Sequence, residues 1–228
     1  MIRTVRGFGT LALLVAAGAA QAQQRAVFAV LPFENSGSYG QDKEIFEALE
    51  LGVPVMLGRA LGRHTGVGVA ERGRVSRALA GMGLGAGHRV DAATAAQVAK
   101  AAEARYAVTG SFSDFYGKFR VNARVVDAQS GEILKVVSND DPTLQDRAQL
   151  SAIVDAVSDK IAAAAGLPAD GGGAPAAVPT EAITAFSRGL LHESRGDRAK
   201  ALEFYQRAAG AAPGFEEAQA GVQRMRGA

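Results

Sequence analysis

The order of hydrophobic and polar positions predicts several β-strands. Residues 26–31 form a continuous apolar run, which is typical of a strand covered on both faces. Residues 118–126 (KFRVNARVV) alternate apolar and polar side chains, which indicates one buried and one solvated face. The segments 106–115 and 132–138 also have strand character, and DAQSGE (127–132) supplies a turn. Together these segments predict an antiparallel meander of three strands.

Helical periodicity occupies the stretches between these strands. Residues 41–63 place their apolar side chains on one face, although Gly52 and Pro54 predict a kink or a break inside this helix. A short strand is predicted at 65–70, and further helices at 72–80, 91–104 and 150–161. The resulting order, β-α-β-α-α-β-β-β-α, predicts an α/β fold in which helices cover a mixed sheet.

The composition changes sharply at LPADGGGAPAAVP (167–179). Three consecutive glycines and three prolines make this stretch a linker that is partly flexible and partly stiff. We therefore expect an α/β domain over residues 23–166, a linker over 167–180 and a short helical segment over 181–228.

The first 22 residues predict a secretory signal peptide. Arg3 and Arg6 precede an apolar core (8–20), and Ala20-Gln21-Ala22 forms an A-x-A cleavage site. This core is shorter than the about 20 residues of a membrane span, and a retained anchor is the alternative. We expect a mature chain that begins at Gln23, lies in the periplasm and has no stable membrane span.

Charge and cysteine content exclude several classes of function. Loss of Arg3 and Arg6 takes the 25 basic residues to 23, which equals the 23 acidic residues. A net charge near zero argues against nucleic-acid binding. The chain contains no cysteine, which excludes disulfides, thiolate metal sites, a cysteine nucleophile and a lipid anchor.

Two glycine-containing turns resemble ligand-binding motifs only superficially. ENSG (34–37) follows the first strand, where α/β proteins often bind ligands, but a strand-ending turn needs the same residues. GMGLGAG (81–87) contains the glycine spacing of a dinucleotide site, yet it follows a predicted helix, whereas that motif follows a strand. Both segments are interpreted as connections.

The chain carries no recognisable catalytic, cofactor or metal motif. The three histidines (His64, His88 and His192) lie in unrelated contexts, and no serine lies in a G-x-S-x-G motif. We therefore predict a protein that is not an enzyme and needs no cofactor. The alternative is a periplasmic ligand-binding protein or hydrolase, in which Glu34, Asp114 and a histidine would converge in one pocket.

Three segments in this order resemble the CsgG/HfaB-like envelope proteins and the N-terminal α/β domain of TolB. They are AVLPFEN, HRVDAATAAQVAKAAEARYAVTGSF and VNARVVDAQSGEIL, and the resemblance covers residues 25–166. It implies an α/β domain of the cell envelope. The CsgG family also implies a curli-secretion pore with membrane hairpins and a lipidated cysteine. This chain has no cysteine and its turns are too short for strands of about 9–11 membrane residues, so the pore is the least favoured function.

The C-terminal segment resembles one tetratricopeptide repeat. Small residues, an aromatic residue and a proline recur at the repeat's spacing, and Gly196-Asp197 lies in its turn. The resemblance implies two antiparallel helices whose packing residues are Gly189, Ala201, Tyr205, Ala208 and Pro213. A single repeat cannot bury its own apolar face. It must dock on the α/β domain, on another copy of the chain or on a partner.

The first helix of this repeat is the predicted partner-binding surface. Its exposed inner face corresponds to Ile183, Phe186, Leu190, Glu193 and Ser194, which share one side at helical spacing. The alternative is that this stripe packs on the α/β domain. The sequence thus predicts a non-enzymatic scaffold or assembly protein, whose partners are envelope proteins or further copies of itself.

Overall fold

The computed structural model describes residues 25–40, 42–85, 89–168, 170 and 177–227. The expected signal peptide (1–22) and most of the central part of the expected linker lie outside these residues. The strands of the described part are β1 (Ala26–Asn35), β2 (Val67–Val69), β3 (Tyr106–Phe115), β4 (Lys118–Asp127) and β5 (Ile133–Ser138). The helices are α1 (Lys43–Leu61), α2 (Arg72–Gly81), α3 (Ala92–Ala101), α4 (Leu150–Ala164), α5 (Thr180–Ser194), α6 (Arg198–Ala211) and α7 (Glu216–Arg226).

One mixed sheet, in the order β2-β1-β3-β4-β5, forms the centre of the fold. β1 runs parallel to β2 and to β3, whereas β3, β4 and β5 are antiparallel neighbours. The turn between β3 and β4 contains Tyr116 and Gly117, both with positive φ, which is the backbone that a tight hairpin requires. The α/β fold class and the three-strand meander are therefore confirmed.

Helices cover the two faces of this sheet unequally. α1 and α4 pack on one face, where Phe28, Phe112 and Val125 join the larger hydrophobic core. α2 and α3 pack on the other face, where they cover β1 together with the start of β3 and the end of β4, around Leu31, Ala107 and Val126. The part of that face formed by the middle of β3, β4 and β5 has no helix over it in the described structure.

The predicted break in α1 is wrong, because the helix runs continuously through Gly52 and Pro54. Its two sides are both buried, one against the sheet and one against α5. Tertiary packing therefore stabilises this helix despite the hydrogen bond that a proline removes. Packing explains the glycine at position 52, because its backbone lies against Ser187 of α5.

The three C-terminal helices form a compact unit that packs on α1. Gly189 of α5 and Gly221 of α7 both lie against the ring of Tyr205 in α6, where a Cβ atom would come within 2.6–2.7 Å of a ring carbon. Ala201 and Ala208 are fully buried, and Pro213 follows the end of α6. The predicted packing residues are thus in or beside one helical interface, while membership of the tetratricopeptide family stays a prediction.

None of the helices in the described ranges has both the length and the apolar character that crossing a membrane requires.

Candidate binding groove

A groove of about 610 Å³ lies between the sheet edge and the C-terminal helices. The last β2 residue, Val69, pairs with Phe28, so β1 continues beyond its neighbour and Val30 and Pro32 line the groove. α1 and α2 form two of the walls, and α5 and α7 form the others. The groove therefore exists only because the C-terminal helices dock on the α/β layer.

The floor of the groove is apolar. Val30 and Val69 come from the sheet, Leu51 and Val55 from α1, and Leu190 from α5. Few main-chain polar groups are available on this floor, because the backbone groups of α1 and α5 form hydrogen bonds within their own helices. Such a floor favours apolar side chains of an occupant.

Two ion pairs connect α7 to the opposite walls of the groove. Arg59 of α1 contacts Glu217 at 2.8 Å, and Arg224 contacts Glu193 of α5 at 3.1 Å. The same two arginines lie over aromatic rings, Arg59 over Phe215 and Arg224 over Tyr205. These contacts hold α7 beside the groove and leave charged groups along its rim.

Glu193 is the most heavily contacted charge of the rim. Its carboxylate accepts hydrogen bonds from Arg224 and from the Tyr205 hydroxyl, and Arg72 lies 3.6 Å away. Burial acts to raise the pKa of Glu193, but the hydrogen bonds from Arg224 and Tyr205 outweigh it and lower the pKa overall. Burial and the neighbouring carboxylate raise the pKa of Tyr205, which keeps its hydroxyl protonated as a donor.

The structure corrects the expectation that the α5 stripe is exposed. Ile183, Phe186 and Leu190 are buried, with 2% or less of each side chain accessible, because the stripe packs against α1 and α6. The alternative, in which the α5 stripe packs on the α/β domain, is therefore the one that the structure shows. Phe186, Leu190, Glu193 and Ser194 nevertheless line the groove, and Ile183 does not. Their role in partner binding stays a prediction.

The residues of the enzyme alternative do not converge within the described structure. Asp114 is fully buried, where it accepts hydrogen bonds from the Gly117 N–H and from Arg147, both at 2.7 Å. It thus fixes the β3–β4 turn. Glu34 lines a different, very small pocket beside Arg124. His88 lies outside the described residues, and His64 and His192 line neither pocket.

The structure does bring together a serine, a histidine and an aspartate that the sequence pattern missed. His64 Nε2 lies 3.3 Å from Ser158 Oγ, and His64 Nδ1 lies 3.5 Å from Asp170. The Ser158 hydroxyl, however, donates to the Asp155 carbonyl, and both Ser158 and His64 are buried. Ser158 therefore has neither a free proton for the imidazole nor access to a substrate. These residues form a contact that joins the α1–β2 connection, which carries His64, to α4 and to Asp170 in the segment after α4.

No group of metal-ligating side chains occurs among the residues that the structure describes. The rim of the groove instead consists of arginines and glutamates that already contact one another. The groove thus combines an apolar floor with charged edges.

Neither a protein-family profile nor a curated protein matches the chain. Among solved structures, the chain is similar to the LpoB C-terminal domain from Escherichia coli, with 19% identity and a TM-score of 0.40 over 54% of this chain and 86% of that one. The LpoB C-terminal domain from Salmonella enterica gives 17% identity and a TM-score of 0.41 over 53% and 85%. TolB from Acinetobacter baumannii gives 20% and 0.44 over 66% of this chain and 31% of that one. These are distant, partial likenesses of fold, and no function follows from them.

Proposed function

We propose that this chain is a non-enzymatic protein-binding module of the bacterial cell envelope. Its groove would hold a segment of a partner protein, with apolar side chains on the floor and an acidic group at the rim. The observation that carries the proposal is the groove itself, which combines an apolar floor with a rim that holds more arginines than glutamates.

The charges at the rim indicate the chemistry of the occupant. Three arginines (Arg59, Arg72 and Arg224) border the groove, against two glutamates (Glu193 and Glu217). Glu193 already accepts hydrogen bonds from Arg224 and Tyr205, and Glu217 is paired with Arg59. Arg72 is half exposed and lies 3.6 Å from Glu193, which is longer than a hydrogen bond. A carboxylate of the partner protein at hydrogen-bonding distance from Arg72 would complete the pairing of charges at the rim.

The size and the frame of the groove suit part of a protein surface. A volume of about 610 Å³ accommodates a few side chains of a partner segment. The walls belong to helices that pack on the sheet and on one another through buried side chains, so the groove is preformed and little ordering entropy opposes binding. The predicted signal peptide supports an envelope location, and a second copy of the chain is one partner that this proposal includes.

Small-molecule binding is a second candidate function, and it rests on the volume of the same groove. Sites for small molecules have volumes of about 300–1,000 Å³ and mostly apolar walls with a few polar groups, and this groove meets both criteria. A periplasmic protein that binds an amphipathic small molecule with an acidic group is therefore the alternative. The protein-binding function is preferred because the rim is open along β1 and presents charges from four elements.

Site-specific photo-crosslinking in the native cell tests the protein-binding proposal. A photoreactive residue replaces Ser194 at the rim, and a matched chain carries it at the exposed Glu103, which does not line the groove. We expect a discrete protein adduct only from position 194, and Arg72→Glu should weaken it about tenfold. Equal adducts from both positions, or an adduct insensitive to Arg72→Glu, would contradict the proposal. The small-molecule alternative would be favoured if the chain with the photoreactive residue at position 194 gave no protein adduct and copurified with a small molecule.

A further inference from the structure

The uncovered face of the sheet is a second surface with its own chemistry. On β4, the side chains of Lys118, Arg120, Asn122 and Arg124 alternate with the buried Phe119, Val121 and Ala123, so the former share the face that α2 and α3 leave open. The registers set Ser113 beside Arg120, Ser111 beside Asn122 and Thr109 beside Arg124. The cations therefore lie next to the partly exposed Ser111 and Ser113, whereas Thr109 is buried.

Within the part of the chain that the structure describes, the cations of this row have no counter-charge at ion-pair distance. Among the ion pairs of the described residues, none involves Lys118, Arg120 or Arg124. Asp140, which Arg120 influences at longer range, pairs with Lys160. Glu34 lies opposite Ser111 and adds one negative charge at the β1 side of this face. Asp146 forms a β-bridge with Lys118, and its carboxylate accepts a hydrogen bond from the Ala148 N–H. The three cations of the row thus exceed the two carboxylates beside it, on a chain whose net charge without residues 1–22 is near zero.

The length and the spacing of the row indicate a linear occupant. Residues two apart on a strand are about 7 Å apart, and the row from Lys118 to Arg124 extends about 20 Å. β4 is paired with β3 and with β5, so its backbone groups are used within the sheet. The face therefore offers side chains only, and a peptide strand could not add to it by main-chain hydrogen bonds.

Exposed aromatic rings continue the row at its Lys118 end. Phe115 lies beside Lys118 in the register and contacts Tyr39 and Tyr116, with ring centroids 5.5 and 5.0 Å apart. These three rings are each more than half exposed. Asp114 holds the turn below them, so the rings are presented on a rigid hairpin.

We propose that this face binds a polyanionic sugar chain, that is, a polysaccharide with repeated carboxylate or phosphate groups. The cations would contact the anionic groups, the hydroxyl and amide side chains of β3 and β4 would bond sugar hydroxyls, and the exposed rings would lie against sugar rings. This surface is on the opposite side of the sheet from α1 and uses no residue of the groove rim. It goes beyond the proposed protein-binding function and can fail independently of it.

Binding of a defined polymer by the full mature chain tests this inference. Polygalacturonate, a linear carboxylated polysaccharide, is titrated in low salt, with its methyl-esterified, uncharged form as the reference. The double variant Arg120→Gln/Arg124→Gln is compared with Arg77→Gln/Lys100→Gln, which removes two exposed charges from α2 and α3. We expect the first variant to raise Kd about tenfold or more, the second to leave it unchanged, and added salt to weaken binding.

Further probes separate this ligand from other polyanions. Poly-glutamate and vesicles of phosphatidylglycerol with phosphatidylcholine are tested on the same proteins, and thermal melts confirm that the variants are folded. Stronger binding of either probe than of polygalacturonate would overturn the proposal. So would an absence of polygalacturonate binding, or an equal loss in both double variants.

Discussion

Gly52 of α1 and Ser187 of α5 are in such close contact that a Cβ atom on Gly52 would lie 1.8 Å from Ser187 Oγ and 2.7 Å from Ser187 Cβ. Ser187 cannot turn its hydroxyl away at no cost, because it is fully buried and donates to the Ile183 carbonyl at 2.7 Å. The α/β domain and the C-terminal helices are therefore joined through a contact that only glycine allows.

The first prediction follows from this contact. Gly52→Ala should lower the free energy of unfolding by about 1–3 kcal/mol, since a methyl group forces the two helices apart. Gly58→Ala is the matched control in the same helix, because its new Cβ atom would meet Val69 at an ordinary 3.4 Å. Urea denaturation followed by circular dichroism measures both.

A second-site change tests the geometry directly. Ser187→Gly removes the atoms that the new methyl group would meet, so the Gly52→Ala/Ser187→Gly chain should be more stable than the sum of the two single effects predicts. Additive effects in this double-mutant cycle would show that the two positions are not in contact.

The second prediction concerns Phe186, which was expected on an exposed stripe and is buried between Tyr205 and Phe215. Phe186→Ala should cost about 3–5 kcal/mol of stability, as is usual for a large buried aromatic residue. Ser194→Ala, at the exposed end of the same helix, should leave the melting temperature almost unchanged. Equal melting temperatures for Phe186→Ala and the unmodified chain would refute the observed packing.

The third prediction concerns pH. The pKa of Glu193 is lowered below the ordinary value of 4.5 in the folded chain, so this carboxylate stabilises the fold fully above that pH. Its contribution should disappear as the pH falls through the lowered folded pKa. Glu193→Gln should therefore lower stability above the ordinary pKa of a glutamate and flatten the acid side of the profile, so that the two chains converge at low pH. Parallel acid profiles for the two chains would be inconsistent with this assignment.

The fourth prediction concerns the segment between the α/β domain and α5. A protease that cuts within residues 171–176 should leave two fragments that elute together, because α5 is packed against α1. Native size-exclusion chromatography of the cut chain measures this. Separate elution of the fragments would mean that the C-terminal helices are an independent unit.

Local patterns predicted most of the fold. The alternation in 118–126 identified β4 because one of its faces is buried and the other is not. Gly52 contributed to the wrong prediction of a break in α1. Its role depends on Ser187, which lies 135 positions later in the chain. Burial of Ile183 and Phe186 was one of two alternatives that the sequence left open, because α1 has apolar residues on two sides and the sequence does not say what covers the second.

The groove could not be predicted from the sequence at all. Val30, Arg72, Glu193 and Arg224 come from four distant segments, and each looks ordinary in its own segment. The contact between His64 and Ser158 was missed for the same reason, as the two residues are 94 positions apart. The alternation in β4 predicted a solvated face with basic residues, but not that the helices of the described structure leave the middle of this face uncovered.

The central claim is that the groove binds a partner protein. Hydrogen exchange of residues 23–228, with and without the partner captured through Ser194, tests this claim most directly. The account predicts slower exchange in β1 from Val30 onward and in α7, because an occupant would contact both walls. Exchange of the backbone amides of residues 118–124, whose alternate side chains form the other face of the sheet, should not change. Slower exchange in 118–124 with no change in β1 or α7 would contradict the account.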